Sequence, residues 1–410
     1  MRTLNTVSAP LSVVSVSNLT TRKGGKRNGM ELKKLDEGLF WPDYENSIVN
    51  FSNSILELFD EKPLHRPFNF PKRVLENVRK VIVMVVDGLS FEIFSDMIHD
   101  DDVLVFPCSS VFPTTTAAAL PSLYSALTPL EHGFLGYILY LREVGSLVNM
   151  IEMSPPGLLR DSVLRFHDFR FITIFQRLQD KVKNFFLVPR YLLGTGFSRI
   201  MSRGSEQIGF SSFGDMIEKT LEILENPDRT LVFIYWPTLD SIAHKNGVGR
   251  EYIRELRWIY RILKFELLRR LKQDTLFFLV SDHGQISTPQ DNEIWWDFSS
   301  EVMRFLDRPP TGEQRMMFLY TKKKRALIEY LKEKYGDFAV FLDPKDFVHL
   351  FGTGRKHSEF FSRVGDAVLI TKETFSFNYR YTGKEESLSG RHGSLSYQEL
   401  VVPLVVYRRW

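Results

Sequence analysis

Acidic and imidazole side chains follow several short apolar runs of this 410-residue chain. These residues are Asp87, Asp240, His244, Asp282, His283 and His392. In an open α/β sheet, ligands bind beyond the carboxyl ends of the strands, where such residues are expected to meet. Carboxylate oxygens and imidazole nitrogens, without a thiolate, suit divalent cations such as Zn²⁺, Mn²⁺ or Fe²⁺. Six such groups predict a site for two divalent ions, which together can clamp a phosphoryl group.

Taken singly, each of these residues also has a purely structural explanation. Asp87 precedes a glycine, and an Asp-Gly pair after a strand is usually a turn. Asp240 and His244 are four residues apart, a spacing that also gives ordinary surface pairs on a helix. Asp282 and His283 are harder to explain in this way, because they directly follow a run expected to be buried on both faces. The set therefore predicts metal binding more strongly than its members do.

Thr116 is a candidate nucleophile. It lies in the segment 112–120, FPTTTAAAL, where a proline-led turn meets an alanine-rich run that predicts a helix. Backbone N–H groups and the helix dipole at a helix N-terminus favour an anionic phosphate. A simple threonine N-cap is the alternative. With the metal-binding set present, we favour the catalytic interpretation.

Alternating strand and helix patterns indicate the elements that must position these residues. Apolar runs typical of buried strands in a parallel sheet occupy residues 81–86, 103–106, 231–235, 276–280 and 401–407. Residues 250–272 have the apolar spacing of one amphipathic helix, and a second helix is expected over 323–335, ending at Gly336. We therefore predict an α/β fold: a doubly wound, mostly parallel sheet with helices on both faces and insertions forming a smaller cap.

The same patterns divide the chain into parts. We expect residues 1–30 to be a disordered basic tail. Residues 31–285 and 390–410 are expected to form a catalytic domain, and residues 286–389 an inserted cap subdomain. Residues 151–210, which carry several glycines, prolines and aromatic residues, are expected to be a further insertion that covers the site. Met30 begins a segment of ordinary composition and is an alternative start of translation.

Composition narrows the class of partner. Lys and Arg total 53 against 50 for Asp and Glu, a net charge of +3 that is too balanced for a nucleic-acid-coating protein. The single cysteine, Cys108, excludes an internal disulfide and fits a reducing compartment. No stretch approaches the roughly 20 apolar residues that span a membrane. We expect a cytoplasmic protein of unknown oligomeric state, and the resemblance described next implies a small phosphate ester or nucleotide as its substrate.

In their order along the chain, the motifs resemble those of the alkaline phosphatase superfamily, most closely its type I phosphodiesterase/nucleotide pyrophosphatase branch. The motifs are Asp87, Phe-Pro-Thr-Thr-Thr116, Asp240-x-x-x-His244, Asp282-His283-Gly284 and Gly-Arg-His392-Gly, with the turn Glu131-His132-Gly133 after the nucleophile segment. The resemblance implies one metal held by Asp240, His244 and His392, and another held by Asp87, Asp282, His283 and the Thr116 oxygen. It implies zinc as the usual metal, and attack by Thr116 on phosphorus to give a phosphothreonine that water hydrolyses.

Two positions depart from the pattern of that branch. Where the branch commonly has an asparagine that hydrogen-bonds a phosphate oxygen, this chain has Tyr137, which we predict to bind substrate through its hydroxyl. The residue after the nucleophile, often aromatic in nucleotide-binding members, is Ala117. A surface for stacking a base must then come from elsewhere in the chain.

Other functions remain open. A phosphomonoesterase on the same scaffold is the main alternative, and a non-catalytic ligand-binding member is a weaker one. A sulfatase is rejected because Cys108 lacks the motif of its modified nucleophile, and a phosphoglycerate mutase is disfavoured because it normally uses serine. Specificity is expected to come from residues 151–210 and 286–390, although the cationic side chains of Arg315, Arg355 and Lys356 are expected to be solvated.

Overall fold

A computed structural model describes residues 29–165, 169 and 171–409. Residues 1–28 of the predicted basic tail therefore lie outside the described residues. The Met30 N–H donates a hydrogen bond to the hydroxyl of Tyr397 at 2.8 Å, which fixes the start of the described chain against the fold. Among the described residues, no helix combines the length and the apolarity needed to cross a bilayer.

The described residues form strands that we number in chain order. They are β1 Lys34–Asp36, β2 Leu39–Phe40, β3 Lys80–Val86, β4 Val103–Ser109, β5 Ile138–Leu141, β6 Ser146–Asn149, β7 Lys183–Pro189, β8 Glu206–Phe210, β9 Thr230–Trp236, β10 Thr275–Val280, β11 Ile286–Ser287, β12 Glu293–Trp296, β13 Thr311–Glu313, β14 Met316–Leu319, β15 Ala339–Leu342, β16 Ala367–Thr371, β17 Ser376–Tyr379, β18 Gly390–Arg391 and β19 Val401–Arg408.

The α-helices are numbered in the same way. They are α1 Ile48–Leu58, α2 Lys72–Leu75, α3 Phe91–Met97, α4 Thr116–Ser125, α5 Pro129–His132, α6 Ile174–Leu178, α7 Gly196–Met201, α8 Phe213–Leu224, α9 Thr238–Asn246, α10 Arg250–Ile262, α11 Lys324–Tyr335, α12 Phe360–Val364 and α13 Tyr397–Leu400. Short 3₁₀ turns occupy Ser162–Arg165, Arg190–Leu192, Leu268–Arg270, Gln290–Asn292, Glu301–Arg304 and Val348–Phe351.

A seven-stranded sheet with the order β4-β19-β10-β3-β9-β7-β8 is the centre of the molecule. Every neighbouring pair from β10 to β8 is parallel. Strand β19 runs antiparallel to both β10 and β4, so the expectation that residues 401–407 join a parallel sheet in the same direction was wrong. An apolar run shows that a strand is buried on both faces, but it does not encode the direction of the strand. The predicted mostly parallel α/β sheet is confirmed.

Strand β3 shows why the sheet is covered on both sides. Val81, Val83 and Val85 pack into one apolar cluster, together with helices α1, α4 and α6. The alternate residues Ile82 and Met84 pack into a second cluster on the opposite face, together with α3, α8, α9 and α10. Because successive side chains of a strand point to opposite faces, a continuous apolar run requires helices on both.

The region expected to be an insertion at residues 151–210 contributes directly to the central sheet. Strands β7 and β8 lie within it and form one edge of that sheet, paired parallel to β9 and to each other. The expectation of an insertion was therefore wrong for residues 183–210. Gly204 and Gly209 obscured the pattern of the short strand β8, and Pro189 ends β7.

The amphipathic segment 250–272 is not one continuous α-helix. Helix α10 ends at Ile262, and the chain continues as a π-helical turn at Leu263–Leu267 and a 3₁₀ turn at Leu268–Arg270. The change of pitch keeps Leu263, Leu267 and Leu268 buried in the same cluster. The apolar pattern predicted the buried face correctly and the helix geometry only in part.

A second, antiparallel sheet has the order β15-β16-β14-β13-β5-β6 and packs helix α11 against one face. Four of its strands come from the predicted cap segment 286–389, whereas β5 and β6 come from residues 138–149. The cap sheet is thus built from two separate parts of the chain. The proposed division into domains stays a prediction.

Arg315 joins the two sheets and is fully buried, so the expectation that it is a solvated surface charge was wrong. Its Nε and Nη2 donate to the carboxylate of Glu399 at 2.9 and 3.0 Å. Glu399 belongs to helix α13, which leads into the central strand β19. Burial of this cation is possible because a buried carboxylate lies opposite it. Arg355 and Lys356 are exposed, as expected.

Candidate metal centre and nucleophile

Three adjacent strands of the central sheet bring most of the predicted ligands to one edge. Asp87 directly follows β3, Asp282 and His283 follow β10, and helix α9 follows β9 with Asp240 in its first turn. Since β10, β3 and β9 are neighbours and parallel, their carboxyl ends lie side by side. The sequence order alone separates these residues widely, and the parallel pairing brings them together.

Asp240, His244 and His392 form one group of candidate metal ligands. Their nearest ligand atoms all lie within 4.8 Å of one another. Asp240 Oδ2 is 3.2 Å from His244 Nε2, and Asp240 Oδ1 is 3.8 Å from His392 Nε2. Asp240 and His244 occupy successive turns of α9, as their spacing predicted, and His392 reaches them from the loop between β18 and β19.

Asp87, Asp282 and His283 form a second, more deeply buried group. His283 Nε2 lies 3.3 Å from Asp87 Oδ1 and 3.5 Å from Asp282 Oδ2. The hydroxyl of Tyr235 donates to Asp87, and the Gly88 N–H donates to Asp282 Oδ1 at 3.3 Å. The ring of His283 stacks on that of His392 with centroids 3.9 Å apart, which places the two groups side by side.

All three histidines are oriented by the backbone. In His244, His283 and His392, Nδ1 donates to a main-chain carbonyl oxygen, and Nε2 is the nitrogen that faces the carboxylates. The acceptors are Gly390, Gly284 and Thr114, at 2.8, 2.9 and 3.0 Å, respectively. Holding one ring nitrogen in this way is the usual means of presenting the other nitrogen to a metal.

The carboxylates of the deeper group repel each other. Burial, together with the charges of Asp282 and Asp240, raises the pKa of Asp87 well above its usual value. Burial also raises the pKa of Asp282, and its Oδ2 atom is buried without a hydrogen-bond partner. An unpaired buried carboxylate oxygen beside a second carboxylate is costly unless a cation lies between them. Asp87, Asp282 and His283 therefore fit a divalent ion bound between them.

The other group has a different electrostatic balance. Although burial opposes ionisation of Asp240, the neighbouring His244 and His392 hold its pKa below the usual range. Burial lowers the pKa of His392 well below its usual value, and the nearby His283 lowers it further. A charged carboxylate and a neutral imidazole are the protonation states in which these side chains bind metals.

Thr116 lies beside the deeper group, at the start of helix α4. Its hydroxyl is 3.0 Å from His283 Nε2 and 3.4 Å from each oxygen of Asp87. The N-cap of α4 is Thr115, so Thr116 is the first helical residue and is not the cap that was its structural alternative. Its oxygen is directed toward the deeper group.

The sequence pattern of the type I phosphodiesterase/nucleotide pyrophosphatase family matches residues 81–395, which is most of the chain. The chain belongs to this family. It is accordingly a phosphoric ester hydrolase of the phosphodiesterase/nucleotide pyrophosphatase type. The family depends on divalent metal ions, and the two ligand groups are the candidate places for them. No curated protein matches the chain.

Solved structures with the same fold include an ectonucleotide pyrophosphatase/phosphodiesterase and a phosphonoacetate hydrolase. Murine ectonucleotide pyrophosphatase/phosphodiesterase 5 has a TM-score of 0.58 at 17% identity, over 80% of this chain and 87% of that chain. An inactive threonine-to-alanine variant of the murine protein in complex with AMP has a TM-score of 0.55 at 16% identity, with the same coverage. Phosphonoacetate hydrolase from Sinorhizobium meliloti 1021 in complex with phosphonoformate has a TM-score of 0.60 at 16% identity, over 80% of this chain and 89% of that chain.

A cavity of about 700 Å³ opens in front of Thr116 and both ligand groups. This volume is within the range of small-molecule sites. One wall is formed by the central sheet and α9, and the opposite wall by the cap, including Glu313 of β13 and Asn378 of β17. A smaller, apolar chamber of about 80 Å³ lies beside Thr116 and is lined by Leu120, Tyr124 and Phe186 among others.

Tyr137, the residue at the family's asparagine position, lines the large cavity and is 42% exposed. Its backbone N–H donates to Glu313 Oε1 at 2.7 Å, and Thr115 donates to the same oxygen at 2.6 Å. The prediction that its hydroxyl binds substrate is not tested by this geometry. The carboxylate of Glu313, which the sequence did not predict for this site, therefore lies next to the backbone of Tyr137.

Sequence reasoning missed Glu313, Tyr235 and Gln285. Tyr235 lies on β9 opposite Val85, one position from the end of each strand, and Gln285 donates to Asp240 Oδ1 at 3.0 Å. The position of Tyr235 next to a predicted strand end was a usable signal. No sequence signal pointed to Glu313, because its neighbours in sequence do not belong to any of the motifs.

Proposed function

We propose that this protein hydrolyses phosphate diesters or nucleotide pyrophosphates through a phosphothreonine at Thr116. Asp240, His244 and His392 hold one divalent ion, and Asp87, Asp282 and His283 hold the other together with the Thr116 oxygen. Zn²⁺ is the expected metal, with Mn²⁺ and Fe²⁺ as alternatives, because the donors are oxygen and imidazole nitrogen without a thiolate.

The position of the Thr116 hydroxyl carries this proposal. It is 3.0 Å from His283 Nε2 and 3.4 Å from each oxygen of Asp87, so a divalent ion held by these two residues would also be within reach of Thr116 Oγ1. As the first residue of α4, Thr116 also lies where free backbone N–H groups favour an anionic phosphate. The inactive threonine-to-alanine variant of the murine relative supports a threonine with this role.

The two ligand groups and Thr116 divide the chemistry between them. Divalent ions bound by these groups supply positive charge that favours the threonine alkoxide and offsets the charge on the phosphoryl oxygens. Thr116 Oγ1 forms the bond to phosphorus while the bond to the leaving ester oxygen breaks. Water then attacks the same phosphorus and the bond to Thr116 Oγ1 breaks, which releases a phosphate monoester that keeps the second ester group and restores the Thr116 hydroxyl. The cap side of the cavity holds the ester groups and limits the access of solvent.

Substitution of the nucleophile tests this mechanism. In the presence of added Zn²⁺ or Mn²⁺, Thr116→Ala is expected to lower kcat for bis-p-nitrophenyl phosphate by about 1000-fold or more, because no covalent intermediate can form. Thr116→Ser keeps a hydroxyl at the same place and is the matched control, expected to retain measurable turnover. Brief reaction and acid quench of the Thr116→Ser protein should leave a phosphorylated peptide that contains residue 116. Equal rates for Thr116→Ala and the natural protein would exclude the proposal.

The monoesterase alternative is tested in the same experiment. The described residues that line the large cavity include no lysine or arginine to balance the second negative charge of a phosphate monoester. We therefore expect a higher kcat/KM for bis-p-nitrophenyl phosphate than for p-nitrophenyl phosphate. A strong preference for the monoester would show that the protein is a phosphomonoesterase and not a diesterase. The proposed role of Thr116 would be unchanged.

A further inference from the structure

Glu313 is an acidic residue of the large cavity to which the proposed mechanism gives no role. It ends strand β13 of the cap sheet and lines the cavity together with Thr116, His244 and His392. The described residues of this lining include no lysine or arginine that would neutralise it. A carboxylate in this place repels the phosphate that the cavity is expected to bind, and this repulsion calls for a physical explanation.

Glu313 is anchored against the segment that carries the nucleophile. Its Oε1 atom accepts from the Thr115 hydroxyl at 2.6 Å and from the Tyr137 N–H at 2.7 Å. Thr115 is the N-cap of α4 and directly precedes the proposed nucleophile. A Cβ atom on Gly393 would lie 2.7 Å from the Glu313 Cβ, so the side chain also packs against the residue that follows His392. The carboxylate is therefore fixed beside both the nucleophile and a candidate metal ligand.

The second oxygen of this carboxylate faces the cavity. Both hydrogen bonds go to Oε1, and none of the described residues donates to Oε2. The two hydrogen bonds favour the charged form, and divalent ions in the adjacent ligand groups favour it further. Without metal, burial raises the pKa of Glu313 to about 7, so the carboxyl is largely charged at pH 8 under either condition.

The charge of Glu313 reaches the place where a phosphoryl group is expected. Besides burial and the two hydrogen bonds, the charges of His244 and Asp240 act on the pKa of Glu313. Electrostatic influence is mutual, so the carboxylate of Glu313 acts on these two candidate ligands in return. A phosphoryl group bound between them and Thr116 lies in the same field.

Resting on the proposed phosphodiesterase function, we infer that Glu313 is a specificity-determining residue, whose carboxylate disfavours the dianionic phosphate of a monoester and thereby selects monoanionic diesters. A phosphate monoester carries nearly two negative charges above about pH 6, whereas a diester carries one. The second ester group of a diester thus removes the charge that Glu313 opposes. The same repulsion promotes release of the monoester product from the cavity.

Glu313→Gln tests this inference in the metal-loaded full chain at pH 8. The amide oxygen of Gln accepts the same two hydrogen bonds while its NH₂ group replaces Oε2, so the charge is removed and the anchoring is kept. We expect the ratio of kcat/KM for p-nitrophenyl phosphate to that for bis-p-nitrophenyl phosphate to rise by about tenfold or more, because the second phosphate charge is no longer repelled.

Two further variants separate charge from anchoring and from general effects. Glu313→Asp keeps the charge and is expected to keep the natural ratio of the two kcat/KM values. Glu333→Gln removes a carboxylate from the exposed surface of α11 and is the matched control, expected to leave both kcat/KM values unchanged. Elemental metal analysis of each variant checks that the loading is equal.

Binding of inorganic phosphate gives a readout that does not depend on turnover. Calorimetric titration of the metal-loaded proteins at pH 8 is expected to give a Kd for phosphate about tenfold lower in Glu313→Gln than in the natural protein. For dimethyl phosphate, which has a single negative charge, Kd should fall by a smaller factor.

The outcomes separate this inference from the proposed function. If the diester is hydrolysed but Glu313→Gln changes neither the ratio nor the phosphate Kd, exclusion by Glu313 is refuted while the diesterase stands. If Glu313→Asp shifts the ratio as much as Glu313→Gln, anchoring and not charge sets the preference, and the inference is refuted. If the metal-loaded natural protein hydrolyses neither ester, the proposed function fails together with this inference.

Discussion

At the scale of single residues, Glu313 is an acidic residue of the cavity that the sequence motifs did not predict. Burial raises the pKa of this carboxyl to about 7, although hydrogen bonds from Thr115 and from the Tyr137 N–H favour its charged form. The neighbouring His244 and Asp240 act in opposite directions on the same pKa. Near neutral pH, Glu313 is therefore close to half ionised in the metal-free protein.

This pKa predicts how stability depends on pH. The folded pKa of about 7 is above the ordinary value of 4.5, so the neutral form stabilises the fold below pH 4.5 and this contribution is lost as pH rises to 7. In chelator-treated protein, Glu313→Gln is expected to match the natural protein near pH 4.5. At pH 8 it should be more stable by up to about 3 kcal/mol, since Gln does not ionise.

Urea unfolding at both pH values measures this difference. Unfolding of the two proteins at pH 4.5 is the internal control for packing, because Gln and a protonated Glu have nearly the same shape. A stability difference that does not change between pH 4.5 and pH 8 would contradict the raised pKa.

At the scale of elements, the turn after β10 is tightly constrained. A Cβ atom on Gly284 would lie 1.8 Å from the carbonyl oxygen of Gln398 and 3.1 Å from the Cβ of Ser90. The Gly284 N–H donates to the Glu399 carbonyl at 2.8 Å, and its own carbonyl accepts from His283 Nδ1 at 2.9 Å. Close approach of backbone to backbone explains the glycine, and the same turn orients a candidate ligand.

Gly284→Ala is therefore expected to destabilise the protein by about 2 kcal/mol or more, because the backbone must move to admit the methyl group. It should also weaken metal binding, since His283 loses its orientation. The matched control is Gly214→Ala in α8, where the nearest atom to a Cβ is 3.9 Å away, and this change is expected to be neutral or slightly stabilising. Thermal unfolding and elemental metal analysis check both effects. Full metal content and unchanged stability in Gly284→Ala would contradict the argument.

At the scale of the whole molecule, the cap is joined to the catalytic sheet by buried charge. Arg315 of the β13–β14 turn pairs with Glu399, and both side chains are fully buried. Arg315 also donates to the carbonyl oxygens of Phe375 and Glu373. A second buried pair, Arg391 with Glu293, lies next to the candidate ligand His392. These contacts fix the cap wall of the cavity relative to the metal ligands.

Removing one partner of such a pair leaves an uncompensated buried charge. Arg315→Met is expected to lower the free energy of unfolding by about 3–5 kcal/mol. The double variant Arg315→Met/Glu399→Gln should recover part of this loss, because Gln keeps hydrogen-bonding capacity without the charge. Chemical denaturation of the natural protein, both single variants and the double variant gives the coupling energy. Strict additivity of the two single effects would show that the pair does not couple the sheets.

The sequence by itself determined the type of fold and predicted which residues form the site. Asp282 and His283 were identifiable because two ionisable residues directly follow a run expected to be buried on both faces, whereas Asp87 was identifiable only as a member of the set. The apolar runs predicted buried strands, and the family resemblance is confirmed by the match over residues 81–395. The cytoplasmic location, the identity of the metal and the roles of the site residues stay predictions.

Only the tertiary structure decided which distant residues share the cavity. The antiparallel direction of β19, the recruitment of β7 and β8 to the central sheet, and the burial of Arg315 depend on pairing between segments far apart in sequence. The same holds for Glu313 and Glu385, whose surroundings are formed by other segments of the chain. Local patterns encode burial and periodicity, whereas strand direction and the partner of a buried charge are set by non-local contacts.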